Sequence, residues 1–412
     1  MASRGEINKK EIQPILYDKW DVIPFISSVN NVGTFAKVKT SECFEEGIYP
    51  VIDQSERQIS GYINDEELLY KGELPIVIFG DHTRNIKYVD YPFAAGADGT
   101  KILHSKSHLN SKFFYYYLKA LQIPNLGYSR HYSILKQLDV PLPSQDEQKQ
   151  IAEKLDKLFD QIESIKKSTE RIPELLKNFR QQILTYAVTG KLTEKWREEN
   201  EIENEFASIE TDKHRDYNYK FPDTWKLLSF SKVVSIESNL VNPNDYKDYP
   251  LIAPDNIESM TGRILSKPTV AEIAPKSFKH YFTKDCLVYS KIRPYLSKIA
   301  YSDFDGLCSA DMYPLKTKLN IFYLYYYMLS SEFLSFATTA GERIVLPKIN
   351  QKSLNIIPIP VPSLKEQEEI AKRVQTLFDI LDDVERKYNI LCEKLEKLPL
   401  ALLCKAFKGE LV

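Results

Sequence analysis

The sequence predicts a mixed α/β protein with an internal two-fold repeat, in which two globular regions alternate with two long helices. Three observations support this fold class. The 412 residues are too many for one ordinary domain and suggest two or three. Several short segments occur twice along the chain in the same order. After each copy of one such segment, apolar residues recur at alternating intervals of three and four, as in a coiled-coil helix.

Composition places the chain among globular proteins, because 43% of its residues are hydrophobic and 27% are charged. Its apolar runs are far shorter than the ~20 residues that cross a membrane, and no secretory signal peptide is visible. The five cysteines are widely spaced, which indicates reduced thiols and not a disulfide framework. We therefore expect a cytoplasmic protein without membrane contact. The 55 basic and 57 acidic residues nearly balance, so net charge neither predicts nor excludes binding to nucleic acid.

The long helices are predicted from the clearest part of the repeat. Pro-Leu-Pro-Ser at 141–144 recurs as Pro-Val-Pro-Ser at 360–363, and acidic residues follow each copy, a combination that begins helices. We expect the two apolar heptad seams that follow to pack against each other; the alternative is that each seam packs on its own globular region. Pro173 and Pro399 should break or kink their helices. The seam residues are Ile151, Leu155, Leu158, Ile162 and Ile165 in the first copy and Ile370, Val374, Leu377, Leu381 and Val384 in the second.

Two globular regions precede these helices. Tyr-Pro-Val-Ile at 49–52 recurs as Tyr-Pro-Leu-Ile at 249–252, and the tyrosine triplet at 115–117 recurs at 325–327. We expect the triplets to be helix core rather than base-stacking platforms, and the regions to be compact mixed α/β domains. The predicted division is residues 1–145 for the first globular domain, 146–192 for the first helix, 193–212 for an acidic linker, 213–363 for the second globular domain and 364–412 for the second helix.

The sequence contains no pattern that predicts catalysis. His104 and His108 have the spacing of a zinc-protease helix, but the glutamate that should follow the first histidine is missing. No cysteine pair has zinc-binding spacing and no glycine-rich phosphate loop is present, so we expect no metal site and no ATP hydrolysis in this chain. These absences argue against an autonomous nuclease or methyltransferase.

Hydrogen-bonding and basic residues follow the same apolar strand in both copies. Phe-Gly-Asp-His-Thr-Arg at 79–84 ends the first strand, and Ser290 to Lys298 follow the second. Arginine can bond guanine through two atoms, whereas lysine, serine, threonine and tyrosine suit phosphates. For any one of these residues, a solvated surface charge is the alternative. The candidates for DNA contact are His82, Thr83, Arg84, Lys101, Arg130 and His131 in the first copy and Lys291, Arg293, Tyr295, Lys298, Arg343 and Lys348 in the second.

Taken together, these motifs resemble the DNA-specificity subunits of Type I restriction–modification systems. The resemblance rests on the doubled order, the block at 79–84, Lys-Ile-Arg-Pro-Tyr-Leu at 291–296, the helix openings and Leu-Thr-Tyr-Ala-Val-Thr-Gly-Lys-Leu at 184–192, and it covers essentially the whole chain. It implies two target-recognition domains, each of which reads one part of a split double-stranded DNA sequence. It also implies that the two long helices pack antiparallel, set the gap between the parts and bind two methyltransferase subunits.

The same resemblance implies that this chain is not an enzyme and holds no cofactor. S-adenosylmethionine is expected on the methyltransferase subunits, and ATP and magnesium on the motor–nuclease subunits that join the complex. The alternative function is that of a coiled-coil scaffold with two protein-binding domains and no role in DNA recognition.

Overall fold

The computed structural model describes residues 8–97, 99–127, 129–211, 220–339 and 347–411. Contacts divide the chain into two compact units, and each is described by itself. Unit 1 comprises Met1–Glu170 and Asn389–Val412, and unit 2 comprises Arg171–Tyr388. The units differ from the five predicted segments, because each unit combines one globular region with parts of both long helices.

Unit 1 contains two four-stranded sheets among the residues described. Its strands are β1 (Asp21–Pro24), β2 (Val29–Asn30), β3 (Lys37–Val38), β4 (Tyr49–Ile52), β5 (Gly61–Ile63), β6 (Ile76–Gly80), β7 (Ile86–Val89), β8 (Ala94–Gly96), β9 (Thr100–Ser105) and β10 (Asp139–Leu142). The order β2-β9-β6-β7 forms an antiparallel sheet, and β3-β8-β4-β5 forms a mixed sheet in which β8 is parallel to both of its neighbours. An antiparallel pair of β1 and β10 joins the two ends of the globular region.

The core of unit 1 lies around β6, because every residue of this strand is buried. The helices are α1 (Lys9–Ile12), α2 (Phe25–Ser28), α3 (Ser111–Ala120), α4 (Tyr132–Leu135) and α5 (Gln145–Thr169). Helix α3 packs on strands β6, β7 and β9 and also contacts α5. Its aromatic side chains therefore fill the space between the antiparallel sheet and the long helix.

Unit 2 repeats the antiparallel sheet of unit 1 and changes the mixed one. Its strands are β11 (Lys226–Ser229), β12 (Val234–Ile236), β13 (Leu240–Val241), β14 (Leu251–Ile252), β15 (Lys279–Phe282), β16 (Cys286–Ser290), β17 (Ile299–Ser302), β18 (Gly306–Cys308), β19 (Met312–Thr317) and β20 (Pro358–Val361). The order β12-β19-β16-β17 matches β2-β9-β6-β7. In the second sheet, β13-β15-β18-β14, only the β14–β18 pair is parallel.

The helices of unit 2 include the matched aromatic helix and part of the longest helix. They are α6 (Ile172–Val188), α7 (Glu194–Glu199), α8 (Phe230–Val233), α9 (Val270–Ile273), α10 (Ile321–Leu329), α11 (Ser331–Thr339) and α12 (Gln351–Asn355), followed by α13 (Leu364–Phe407), which contributes residues to both units. Among the residues described, no helix combines the length and apolar character that spanning a membrane requires.

The tyrosine triplets are helix core, as expected. Tyr117 and Tyr327 are fully buried, and their hydroxyls donate to backbone carbonyls of β10 and β20 at matched positions. Tyr116 and Tyr326 are nearly buried, and their hydroxyls donate to side chains of α5 and α13. Each triplet thus ties its domain to a long helix and is not a stacking surface.

A buried glutamine explains the Glu-Gln pair that recurs at the start of both long helices. Gln148 is fully buried, accepts the backbone N–H of Asn110 at 2.7 Å and donates to the Pro143 carbonyl at 2.9 Å. Gln367 makes the same two bonds at the same distances to the N-terminus of α10 and to the Pro-x-Pro turn. Each glutamine therefore fixes the angle at which a long helix leaves its globular region.

The two prolines have different effects. Helix α5 ends at Thr169 and α6 begins at Ile172, so the helical conformation is interrupted directly before Pro173, as predicted. At Pro399 we expect a break or a kink, and the break is not found, since α13 continues through this residue to Phe407.

The start of each seam packs in the core of its own unit. Ile151 and Leu155 are fully buried in the core of unit 1, where they join residues from the C-terminal end of α13. Ile370 and Val374 are buried in the core of unit 2 with the end of α6. The start of each seam therefore meets the end of the other long helix, which is the order of contacts that the predicted antiparallel pairing requires. Further along, Ile165 and Val384 are each 40% exposed.

Candidate nucleic-acid interface

Three of the predicted contact residues of unit 1, His82, Thr83 and Arg84, lie in the loop between β6 and β7. This loop, residues 81–85, is called recognition loop 1. Gln54 holds it, because its side-chain Oε1 accepts the backbone N–H of His82 at 3.1 Å and its carbonyl accepts the Thr83 hydroxyl at 2.5 Å. The same carbonyl accepts Asn85 Nδ2 at 3.0 Å. A single residue from a neighbouring loop thus binds three of the five residues of recognition loop 1.

Arg84 is turned towards its own domain. Its backbone is left-handed, with φ 66°, and its N–H donates to the Gly80 carbonyl at 2.8 Å. Its guanidinium Nη1 donates to the carbonyl of Ile123 at 3.0 Å, beside a polar cavity of about 580 Å³ that Lys87 and Lys119 also line. The Arg84 side chain therefore has a hydrogen-bond partner inside unit 1. Its guanidinium is not free to bind a base in this conformation.

His131 is fully buried, so its predicted contact with DNA needs correction. Its Nδ1 lies 3.0 Å from the Asp81 carbonyl, and its Nε2 accepts the backbone N–H of Leu126 at 3.2 Å. Both ring nitrogens are therefore used within unit 1, and the residue joins two loops. Arg130, its neighbour, is exposed, and Lys101 is part-exposed with its Nζ 3.8 Å from the Asp81 carboxylate.

The corresponding loop of unit 2 follows β16. This loop, residues 291–298, is called recognition loop 2. Arg293 is exposed and left-handed, with φ 50°, and its N–H donates to the Pro347 carbonyl at 2.8 Å. Its guanidinium has no hydrogen bond or ion pair with the residues described. Tyr295 is 49% exposed. Among the predicted contacts of unit 2 that the structure describes, Arg293, Tyr295 and Lys348 are the exposed ones.

The predicted lysines of unit 2 surround recognition loop 2 but are partly engaged. The Lys291 ammonium donates to the carbonyl of Ala310, and that of Lys298 donates to the carbonyl of Pro254 at 2.7 Å. Lys348 pairs with Asp311 at 3.2 Å. The predicted residue Arg343 lies outside the residues described.

Charges of both signs surround Lys291. Burial lowers the pKa of Lys291 and the nearby charge of Lys348 lowers it further, whereas the carboxylate of Asp311 acts in the opposite direction. A backbone bridge between Ile292 and Lys348 brings this lysine beside recognition loop 2. The structure thus brings Lys348 beside the loop that carries Lys291 and Arg293, although Lys348 is distant from them in sequence, and such a group of basic residues suits the negative potential of a DNA backbone.

Sequence reasoning missed Gln54, although it holds three residues of recognition loop 1. The one signal in the sequence was the glycine at position 99. Gly99 adopts φ +64°, and a Cβ there would lie 2.3 Å from Gln54 Oε1. A glycine alone does not name the residue that approaches it. Among the residues described, no group of histidine, cysteine and carboxylate side chains could hold a metal ion.

The fold and loops define a doubled α/β binding protein, in which each unit presents one loop with a left-handed arginine. The chain belongs to the family described as Type I restriction modification DNA specificity domain, which matches residues 18–174 and again 222–393. The resemblance inferred from the motifs is therefore confirmed, together with the doubled fold.

Individual relatives agree with this family. The Type I restriction enzyme EcoDI specificity subunit of Escherichia coli is 43% identical over 278 residues, which are 66% of this chain and 62% of that protein. The chain thus matches less than two thirds of that relative's length. The EcoBI specificity subunit of the same species is 27% identical over 441 residues, which cover 100% of this chain and 90% of that protein.

Solved structures show the same fold at low sequence identity. A chain from a study of complex assembly and conformational transition of the type I R-M system gives a TM-score of 0.63 at 14% identity, and covers 96% of this chain and 99% of that chain. The HsdS subunit from Thermoanaerobacter tengcongensis gives a TM-score of 0.56 at 16% identity, with 96% and 98% covered.

Proposed function

We propose that this chain is the sequence-specific DNA-binding subunit of a Type I restriction–modification complex, in which unit 1 and unit 2 each read one half of a split target. The matched pair of loops carries the proposal. In each unit the buried strand β6 or β16 ends in a loop with a left-handed arginine, Arg84 or Arg293. The loops occupy the same place but differ in sequence, which suits a target with two different halves.

The proposal extends to assembly. Two methyltransferase subunits that hold S-adenosylmethionine bind the long helices, and motor–nuclease subunits that use ATP and magnesium join the complex. The names of the relatives and the complex-assembly study of one structural neighbour support this part. The chain itself supplies recognition and no catalytic group, in keeping with the absence of catalytic motifs from its sequence. The reduced-thiol pattern of its cysteines supports a place in the cytoplasm.

A salt titration tests DNA binding against the scaffold alternative. The chain, purified with its methyltransferase partner, is titrated with the duplex identified by methylation sequencing of host DNA with and without this gene. Phosphate contacts release counterions, so the affinity should fall steeply as salt rises. Methylation that is independent of this gene, or binding without a salt slope, would favour a scaffold that contacts only proteins.

A further inference from the structure

A short loop of unit 2 contacts recognition loop 2 directly. This loop, residues 258–263, is called the strap. The backbone N–H of Met260 donates to the carbonyl of Leu296, a residue of recognition loop 2, at 3.1 Å. Gly262 is left-handed, with φ +72°, and a Cβ there would lie 2.7 Å from the carbonyl of Ile299, directly after recognition loop 2. The strap therefore packs backbone against backbone, where a side chain would not fit.

The other end of the strap contacts the long helix α13. Nη2 of Arg263 lies 2.6 Å from the carboxylate of Asp382 and 3.0 Å from that of Glu385. Arg180 of α6 binds the same two carboxylates, at 3.2 Å for Glu385. With Glu258, whose carboxylate lies 3.7 Å from Arg263, two arginines and three carboxylates thus form a cluster, in which Arg263 and Glu258 are the members that belong to the globular region.

The strap is also stiff between its two ends. The hydroxyl of Thr261 donates to Glu258 at 2.5 Å, and the backbone N–H of Glu258 donates to the carbonyl of Arg263 at 2.9 Å. Tyr325 of α10 donates to the carbonyl of Thr261 at 3.1 Å. A displacement of Arg263 would therefore be passed along the strap and not absorbed within it.

The charges of the cluster favour the ionised forms. Partial burial alone would raise the pKa of Asp382, but the hydrogen bonds and charges of Arg180 and Arg263 outweigh this effect and lower it. The side chains of Arg263, Asp382 and Glu385 remain 39–47% exposed, so salt screens this interaction.

Unit 1 has no counterpart of this cluster at the matching helix positions. At the offset of the repeat, Asp382 and Glu385 correspond to Glu163 and Lys166 of α5, which pair with each other at 3.3 Å. A glutamate that is paired with a lysine on its own helix does not offer an arginine two carboxylates, as α13 does. The strap contact is thus a feature of unit 2, and unit 1 serves as an internal control.

We propose that Arg263 is a positioning residue for DNA recognition by unit 2, because it anchors the strap to α13 and the strap holds recognition loop 2. This inference rests on the proposed function. Arg263 does not need to touch DNA in this role. Its loss should lower the discrimination between bases in the half-site that unit 2 reads and leave the other half-site unchanged.

Arg180 provides the matched control. Both arginines bind the same carboxylates, but Arg180 belongs to α6 and has no bond to the strap among the residues described. A purely structural role would make Arg180→Ala at least as damaging as Arg263→Ala, since Arg180 is 13% exposed and lies over the Phe378 ring, whereas Arg263 is 41% exposed. A positioning role predicts that both lower stability, whereas only Arg263→Ala affects base discrimination.

The test measures binding by the complex of this chain with its methyltransferase partner. The probes are the wild-type methylated sequence and duplexes with one base changed in either half. Arg263→Ala should reduce discrimination in the half read by unit 2 about 5- to 10-fold, a size typical of coupling between linked sites. Arg263→Lys should restore it in part, because lysine keeps the charge but not the fork of donors. Hydrogen exchange should rise in recognition loop 2 of Arg263→Ala only.

The outcomes separate this inference from the proposed function. Failure of the wild-type complex to prefer its methylated sequence would overturn the proposed function itself. A wild-type preference that Arg263→Ala leaves intact, or that Arg180→Ala lowers equally, would overturn the role of the strap. If Arg263→Ala does not fold, Asp382→Asn with Glu385→Gln removes both negative charges that hold Arg263 on α13 and should give the same selective loss. Equal loss in both halves would also contradict the inference.

Discussion

Replacing Arg293 by glycine should stabilise the protein while weakening its binding to DNA. Arg293 adopts φ 50° and ψ 58°, a region in which side chains other than glycine are strained. The strain amounts to about 1–2 kcal/mol, and the extra chain entropy that glycine loses on folding offsets about 0.5–1 kcal/mol of it. Because the Arg293 side chain is exposed and makes no bond to the residues described, little else is lost.

The net gain in the free energy of unfolding, about 0.5–1 kcal/mol, should raise Tm by ~1–4 °C. Thermal unfolding followed by circular dichroism can measure this shift. Binding should weaken by about 1–3 kcal/mol if the guanidinium bonds a guanine, with relaxed discrimination at one position of the target. If Arg293 contacts phosphate instead, the loss should be uniform across sequences and should reduce the salt slope by about one.

Two further variants separate strain from recognition. Arg293→Ala keeps the strain, so it should lose the same DNA affinity without the gain in Tm. Ala274→Gly relieves the left-handed backbone at the end of α9, with φ 47°, and should raise Tm without changing DNA affinity. A lower Tm for Arg293→Gly, or unchanged DNA binding for both Arg293 variants, would refute the reasoning.

Three other predictions concern the helices. Glu366 is fully buried and binds Thr193, Arg197 and Trp225, so Glu366→Ala should lower the free energy of unfolding in urea by about 3–5 kcal/mol. Its counterpart Glu147 caps a helix, so Glu147→Ala should lower the free energy of unfolding by only about 1 kcal/mol, and equal losses would contradict the assigned contacts. Because the pKa of folded Asp382 is lowered from 3.8, its contribution to stability is present above about pH 4 and lost as pH falls below it, and Asp382→Asn should flatten this part of the pH–stability curve. Inserting four residues between Ile162 and Ile165 should lengthen α5 by ~6 Å and change the recognised gap, so methylation of the original sequence with the original gap would show that this helix does not set it.

Much of the fold could be predicted because short sequence patterns indicate the repeat and its helices. The Pro-x-Pro-Ser openings, the apolar spacing and the tyrosine triplets each determine structure within a few residues. The compact units could not be predicted in this way, because α13 meets α6 and α5 at positions that depend on tertiary packing. The effect of Pro399 also depends on packing, since α13 stays continuous despite the missing backbone donor.

The positions of the two candidate loops could be predicted from the sequence, but the directions of their side chains could not. A polar run after an apolar strand predicted a loop at each of these two places, and the structure has a loop at both. The direction of each side chain depends on distant partners instead. The carbonyl of Ile123 binds Arg84 and that of Asp81 lies beside His131, and neither contact has a signature in the local sequence.

Methylation sequencing of a domain exchange tests the central claim most directly. Residues 213–359 are replaced by the corresponding region of a relative with a different target, and host DNA is sequenced for methylated bases. If each globular region reads one half of the target, the sequence of one half should change while the other half stays the same. A change in both halves, or in neither, would contradict two independent readers of DNA in this chain.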